Sequence, residues 1–311
     1  SERSRGLGDV YKRQGFGAVA ALSKIQKFSM EEIHNALGIM YSQTCGNMQS
    51  HVEGVPILGL QVGFNAKAAL ASMDLTKAGF PGPKRVFNGE HGYFKLIEND
   101  DYDILYLQEN IGKLWMVNQL AHKPFPSGRL THGLVHAIKD LKLKHGLNKD
   151  DIESSECFVP PGVYKLVARP IIDNLTTNYS KLCAKFVGAS FMINDHLNIE
   201  TFTEKKYLNN KDTLNFAKKI TMSKNDKLDQ KVLTPQKFII TLVNNSKIEI
   251  NIDHVYGHPK APLSEKEYLE KFSKCCFSST NKVDQNQVNR MLDFIFDLEN
   301  KDNVIDFFKT I

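Results

Sequence analysis

Apolar positions along the first hundred residues recur at helical spacing. Ile33, Ala36, Leu37, Met40 and Tyr41 follow the capping box Ser29-Met30-Glu31-Glu32. A second helix is predicted from about Gln61 to Ala78, with Val62, Ala66, Ala69, Leu70 and Met73 on one side. Gly79 stops it and Phe80-Pro81-Gly82-Pro83 breaks the chain. Residues 15 to about 100 thus read as all-helical. Near Asp101 the pattern shifts. Tyr102, Ile104 and Tyr106, and later Val159, Val163, Lys165 and Val167, suggest strands, with a helix from Thr131 to His145 between them that ends at Gly146. Another helix is predicted over about 175–193. Phe238, Ile240 and Leu242, then Ile248, Ile250 and Ile252, alternate with polar residues on either side of Asn244-Asn245-Ser246, the pattern of a β-hairpin.

After Gly257 the chain turns helical again, with a capping box at Ser264-Glu265-Lys266-Glu267 and an amphipathic face at Val288, Met291, Leu292 and Ile295. The apolar tail, Val304, Ile305, Phe307 and Phe308, is expected to dock. The fold class expected is α plus α+β: an all-helical domain built from both chain ends, 15–100 and 257–311, with a smaller α+β domain, 101–256, inserted between them.

Residues 1–14, SERSRGLGDVYKRQ, are polar and aperiodic and stop abruptly at Gly15-Phe16-Gly17-Ala18. They read as a non-native leader. The chain then opens inside an apolar stretch without a helix start signal, so the natural protein is expected to extend upstream. Gly15-Phe16-Gly17 lacks the third glycine and preceding strand of a dinucleotide loop and reads as helix packing.

Composition narrows the function. The 311 residues are 41% hydrophobic and 24% charged, with a net charge of +5. The positive residues are dispersed and form no nucleic-acid footprint. The longest apolar run, Ala18 to Leu22, is too short to span a bilayer. The five cysteines, Cys45, Cys157, Cys183, Cys275 and Cys276, are odd in number and scattered. They suggest reduced, cytoplasmic thiols rather than disulfides or structural zinc.

The chemistry-bearing stretch is residues 123–133, KPFPSGRLTHG. Two prolines fix the backbone around Phe125, and Ser127-Gly128 lead into a helix start at about Thr131, where free N–H groups attract anions. Arg129 offers a fork that matches a carboxylate, and Lys123 adds a second positive charge. His132, in the first turn, is expected to stay neutral and serve as acid or base. His132, His136 and Lys139 lie opposite Leu134, Ile138 and Leu141. A capped helix with an ordinary basic surface fits the same residues. His132 and His136 have a zinc-type spacing but no third ligand, so no metal is expected. Asp253-His254 and Gly257-His258 read as a turn, Arg169-Pro170 as a strand end, and Cys183 as buried.

These segments resemble the MmgE/PrpD family, which includes 2-methylcitrate dehydratase, cis-aconitate decarboxylase and iminodisuccinate epimerase. The resemblance rests on Ser29 to Gly38, Leu60 to Ala66, Ala78 to Pro83, Lys123 to Arg129 with Thr131-His132-Gly133, and Gly257-His258-Pro259 with Pro262-Leu263-Ser264. It implies a lyase or isomerase that moves a proton next to a carboxylate of a small di- or tricarboxylic acid. It implies a homodimer, no metal or organic cofactor, no nucleic acid or membrane partner, and a site in the cleft between the domains. Lys123 and His132 are the implied catalytic residues. Arg129, Ser127, Gly128 and Thr131 are the expected substrate-binding ones. Several family site residues are missing: Pro56 to Gln61 holds neither the lysine nor the histidine expected there, Phe186 stands for a tyrosine, and the N-terminal helical section is absent. A carboxylate-binding protein without catalysis, or an inactive fragment, is the alternative.

Overall fold

The computed structural model describes residues 8–47, 49–98, 100 and 102–310. Two compact units divide at Trp115/Met116.

The first unit holds α1 (Gly8–Ile25), α2 (Met30–Tyr41), α3 (Gln49–Glu53), α4 (Ile57–Lys77), α5 (Tyr93–Leu96) and α6 (Ile104–Asn110). α1, α2 and α4 pack on one another. Their core is Phe16, Val19, Ala36, Met40, Ala69 and Met73, joined by Tyr93, whose ring meets Phe16 edge-on at 5.4 Å. The Ser29 capping box is formed. Helix α1 starts seven residues ahead of Gly15, within the segment read as a leader. Arg13 donates to Glu98 at 2.6 Å and to the Tyr93 hydroxyl at 3.3 Å. Residues 1–7 lie outside the described residues.

Two expectations for this unit fail. Tyr102, Ile104 and Tyr106 do not form a strand. Asp103 accepts the Tyr106 N–H as a helix cap, and Leu105 and Leu107 fill the alternation. On α4, Ala69 and Met73 are buried, but Val62 and Leu70 are exposed. The buried face instead carries Gln61 and Asn65, which donate to the Asn47 and Cys45 carbonyls at 3.1 Å each. Gln61 is tolerated inside because its amide both donates and accepts, whereas Asn65 donates to the Cys45 and Gln61 carbonyls and leaves its Oδ1 without a partner.

The second unit contains α7 (His132–His145), β1 (Ile152–Val159), α8 (Pro161–Val167), α9 (Thr177–Lys181), α10 (Ala184–Asn194), α11 (Glu200–Thr203), α12 (Lys205–Leu208), α13 (Lys211–Lys218), β2 (Ile220–Lys224), β3 (Gln236–Leu242), β4 (Lys247–Ile252), α14 (Glu265–Phe277) and α15 (Gln285–Phe296). Its sheet runs β2-β1-β3-β4, with β1 and β2 parallel and the other pairs antiparallel. The expected hairpin is β3–β4, paired Phe238 with Ile250 and Ile240 with Ile248 and turning at Asn245 with φ 65°. Leu134, Ile138 and Leu141 of α7 join Phe186 and Val187 of α10 and the strand residues Phe238, Ile240 and Ile252 in one core.

Val163 and Val167 lie in α8 rather than a strand, because Pro161 occupies a first-turn position where its missing N–H costs nothing. The helix expected over 175–193 is broken between α9 and α10, where Cys183 is extended. Residues 257–311 group with the second unit. In the tail, Phe307 packs against Phe294 at 5.6 Å, while Val304, Ile305 and Phe308 stay exposed. No helix among the described residues is long and apolar enough to cross a membrane.

Candidate functional site

The loop before α7 is held at both ends. The His122 N–H donates to the Gly257 carbonyl at 2.8 Å, and the Gly128 N–H donates to the Lys181 carbonyl at 2.8 Å. A 3-10 turn over Arg129–Thr131 then feeds α7. Within it the Thr131 N–H donates to the Gly128 carbonyl, and the His132 N–H to the Arg129 carbonyl. Ser127 and Thr131 are buried, with their hydroxyls 3.0 Å apart, and Thr131 Oγ1 donates to the Gly128 carbonyl at 2.8 Å. These three residues therefore shape the loop from inside. The cations available on it are the side chains of Lys123 and Arg129.

His132 is fully buried. Its Nε2 shares a 3.0 Å hydrogen bond with Ser127 Oγ, and Phe125 stands edge-on to its ring at 5.3 Å. Its pKa falls to about 3, chiefly from burial, then from the charges of Arg129 and Lys123. The imidazole is neutral, as its place at a helix start led us to expect, but burial is the larger cause. Its Nδ1 is buried and has no hydrogen-bond partner.

Arg129 uses half of its fork. Nη1 donates to the His122 carbonyl at 3.4 Å, whereas Nη2 is buried without a partner. Lys123 has an exposed side chain, yet its pKa is lowered, first by desolvation, then by Arg129 and Lys271. Among the described residues neither Lys123 nor Arg129 forms an ion pair. A guanidinium nitrogen shut away from water without an acceptor is costly, and an arriving anion would relieve it.

The Gly257 turn completes this surface. Gly257 adopts φ 86°, and a Cβ there would stand 2.0 Å from the His122 carbonyl oxygen. His254 and His258 stack at 4.8 Å, and the Lys260 N–H donates to His258 Nδ1 at 3.0 Å. Burial, His254 and then Arg129 lower the His258 pKa.

The remaining candidates have structural surroundings. His136 is half-buried, 5.9 Å from the Tyr256 ring, so α7 does not present an open polar face. Among the described residues no three His, Cys, Asp or Glu side chains converge on a metal position. Arg169 follows a helix, not a strand, and lies over the Tyr179 ring at 5.1 Å. Cys183 is buried with its pKa raised by that burial, and its S–H donates to the Arg169 carbonyl. Phe186 is fully buried against Phe202. Leu58, in the stretch that lacks the expected lysine and histidine, is described only as α4 backbone.

Sequence reasoning missed the clamp that α14 forms. Glu267 closes the Ser264 capping box and reaches Lys139 of α7 at 3.3 Å. Tyr268 Oη bonds His122 Nδ1, a contact 146 residues apart in the chain.

Residues 125–293 match the model of the MmgE/PrpD C-terminal domain, and residues 10–104 match that of the N-terminal domain. The chain belongs to the MmgE/PrpD family. The two matches fall on either side of the division between the units. Among curated members of the family, the chain is similar to the cis-aconitate decarboxylase-like protein oryM of Aspergillus oryzae, 22% identical over 306 residues, covering 92% of this chain and 61% of that protein. Similarity to the cis-aconitate decarboxylase of Aspergillus terreus is 22% over 312 residues, covering 91% and 61%. For the human cis-aconitate decarboxylase it is 24% over 263 residues, covering 82% and 53%. The chain thus spans between half and two-thirds of the length of these MmgE/PrpD relatives.

Proposed function

We propose that this MmgE/PrpD chain carries the carboxylate-gripping part of a lyase or isomerase site for a small di- or tricarboxylic acid. The observation that carries the reading is Arg129 Nη2, buried and without an acceptor beside Lys123, with no ion pair at either cation among the described residues. Arg129 receives a substrate carboxylate through its free fork edge. Removal of a proton or of CO2 next to a carboxylate leaves an electron pair that spreads onto that carboxylate as enolate-type charge. Lys123 meets that charge or supplies the proton that ends it. Its lowered pKa makes the ammonium a readier donor. His132 is neutral at pH 7, and its route to the reacting atoms runs through Ser127 Oγ. Cis-aconitate, the acid in the names of the relatives, is the first substrate to test.

One observation favours a second reading. The phenol implied by the resemblance is replaced by Phe186, sealed in the core. A protein that binds acids without reacting fits that replacement. Incorporation of solvent deuterium next to a carboxylate, or release of CO2, separates the two. The proposal expects either event with the wild-type chain and its loss in Lys123→Ala. Binding with neither event supports the second reading.

A further inference from the structure

One cation near this loop has no role in the chemistry above. Lys271 lies on α14, far from the loop in sequence, and three contacts fix where that helix stands. Glu267 pairs with Lys139 of α7 at 3.3 Å. Tyr256 hydrogen-bonds the same carboxylate. The Tyr268 ring stands edge-on to His122 at 5.1 Å. Residues three and four apart share a helix face. Lys271 follows Tyr268 by three and Glu267 by four, so it extends the face turned toward the 122–129 loop by one turn. The charge of Lys271 is felt at Lys123 and at His132.

Lys271 is half-buried and forms no ion pair among the described residues. The nearby helix acids are engaged: Glu267 is held by Lys139 and the Ser264 cap, and Glu270 pairs with Lys266 at 4.0 Å. Arg129 and Lys271 thus each repel Lys123, and among the described residues no ion pair offsets that repulsion. A single carboxylate on Arg129 and Lys123 leaves Lys271 unanswered. A ligand with further carboxylates answers it and relieves the mutual repulsion.

We propose that Lys271 is a second carboxylate anchor, a specificity residue that makes the site prefer tricarboxylates to dicarboxylates and dicarboxylates to monocarboxylates. The inference rests on the reading of Lys123 and Arg129 as the first anchor.

The test is an NMR titration of the whole chain with propane-1,2,3-tricarboxylate, succinate and acetate. Wild type is expected to rank them in that order. Lys271→Gln should weaken the tricarboxylate about tenfold, the scale of one charge-assisted hydrogen bond, and leave acetate unchanged. Lys271→Arg should restore the preference, which a merely structural role would not do. Equal weakening of all three acids in Lys271→Gln, or none, overturns the inference while the first anchor stands. If wild type binds no carboxylate, the first anchor falls and the second with it.

Discussion

Replacing Gly257 by alanine tests how the turn after β4 holds the cation loop. Gly257 and Gly79 share φ 86° but differ in their surroundings. A Cβ at Gly79 meets nothing within 4 Å, whereas at Gly257 it meets the His122 carbonyl oxygen at 2.0 Å and its carbon at 3.1 Å. Both substitutions carry the left-handed backbone cost, about 1–2 kcal/mol. Gly257→Ala adds crowding against backbone that cannot rotate away, roughly 1–3 kcal/mol more. The expected fall in melting temperature is roughly 2–8 °C for Gly79→Ala and roughly 4–20 °C for Gly257→Ala. Calorimetric melts of the two variants read the difference. The displaced group is the acceptor of Arg129 Nη1 and the neighbour of Lys123, so Gly257→Ala should also weaken polycarboxylate binding. Gly79→Ala should not. Equal melting shifts with unchanged affinity in both would refute the reasoning.

Three further outcomes follow from the same structure. Arg129→Met should abolish polycarboxylate binding yet leave the melting temperature unchanged or raised, because it removes a buried donor without a partner; a clear loss of stability would show that Arg129 is structural. Glu267 is held at a pKa of about 2: desolvation raises it, but hydrogen bonds from Tyr256 and Ser264 and the charge of Lys139 prevail. Its stabilising effect is therefore present above the ordinary value of 4.5 and is lost as the pH falls toward 2, so the stability gap between wild type and Glu267→Gln, followed by denaturant unfolding, should be full at pH 7 and close over that window. His132, with a pKa of about 3, should show no imidazole titration by NMR between pH 5 and 8; the unfolded chain takes up its proton near 6.5 while the folded one does not, so stability falls from there toward pH 3, and His132→Gln should flatten that branch.

Local chemistry made much of the fold legible. The Ser29 and Ser264 capping boxes, the left-handed Gly146 cap of α7 and the Asn245 turn each carry their instruction within a few residues. Where two-residue spacing was read as strand, competing signals were stronger: Asp103 as a cap for α6 and Pro161 as a helix start for α8. The break between α9 and α10 has no glycine or proline to announce it. It is supported from elsewhere, by the Gly128 N–H on the Lys181 carbonyl and the Cys183 S–H on the Arg169 carbonyl.

The site followed the same division. Lys123, Arg129 and His132 lie in one short segment and could be found together. The burial of His132, the inward turn of Ser127 and Thr131, and the approach of α14 depend on residues far along the chain. The Ser264 capping box placed Glu267 in the first turn of α14, but no local pattern showed that this turn rests on Lys139 or brings Lys271 toward the loop.

The proposed function stands on Arg129 and Lys123 gripping an organic carboxylate. A crystal structure of the chain soaked with propane-1,2,3-tricarboxylate tests it most directly. One carboxylate oxygen is expected within hydrogen-bond distance of Arg129 Nη2, with the same ligand contacting Lys123 Nζ. A well-ordered ligand bound elsewhere, with Arg129 Nη2 still lacking an acceptor, would contradict it.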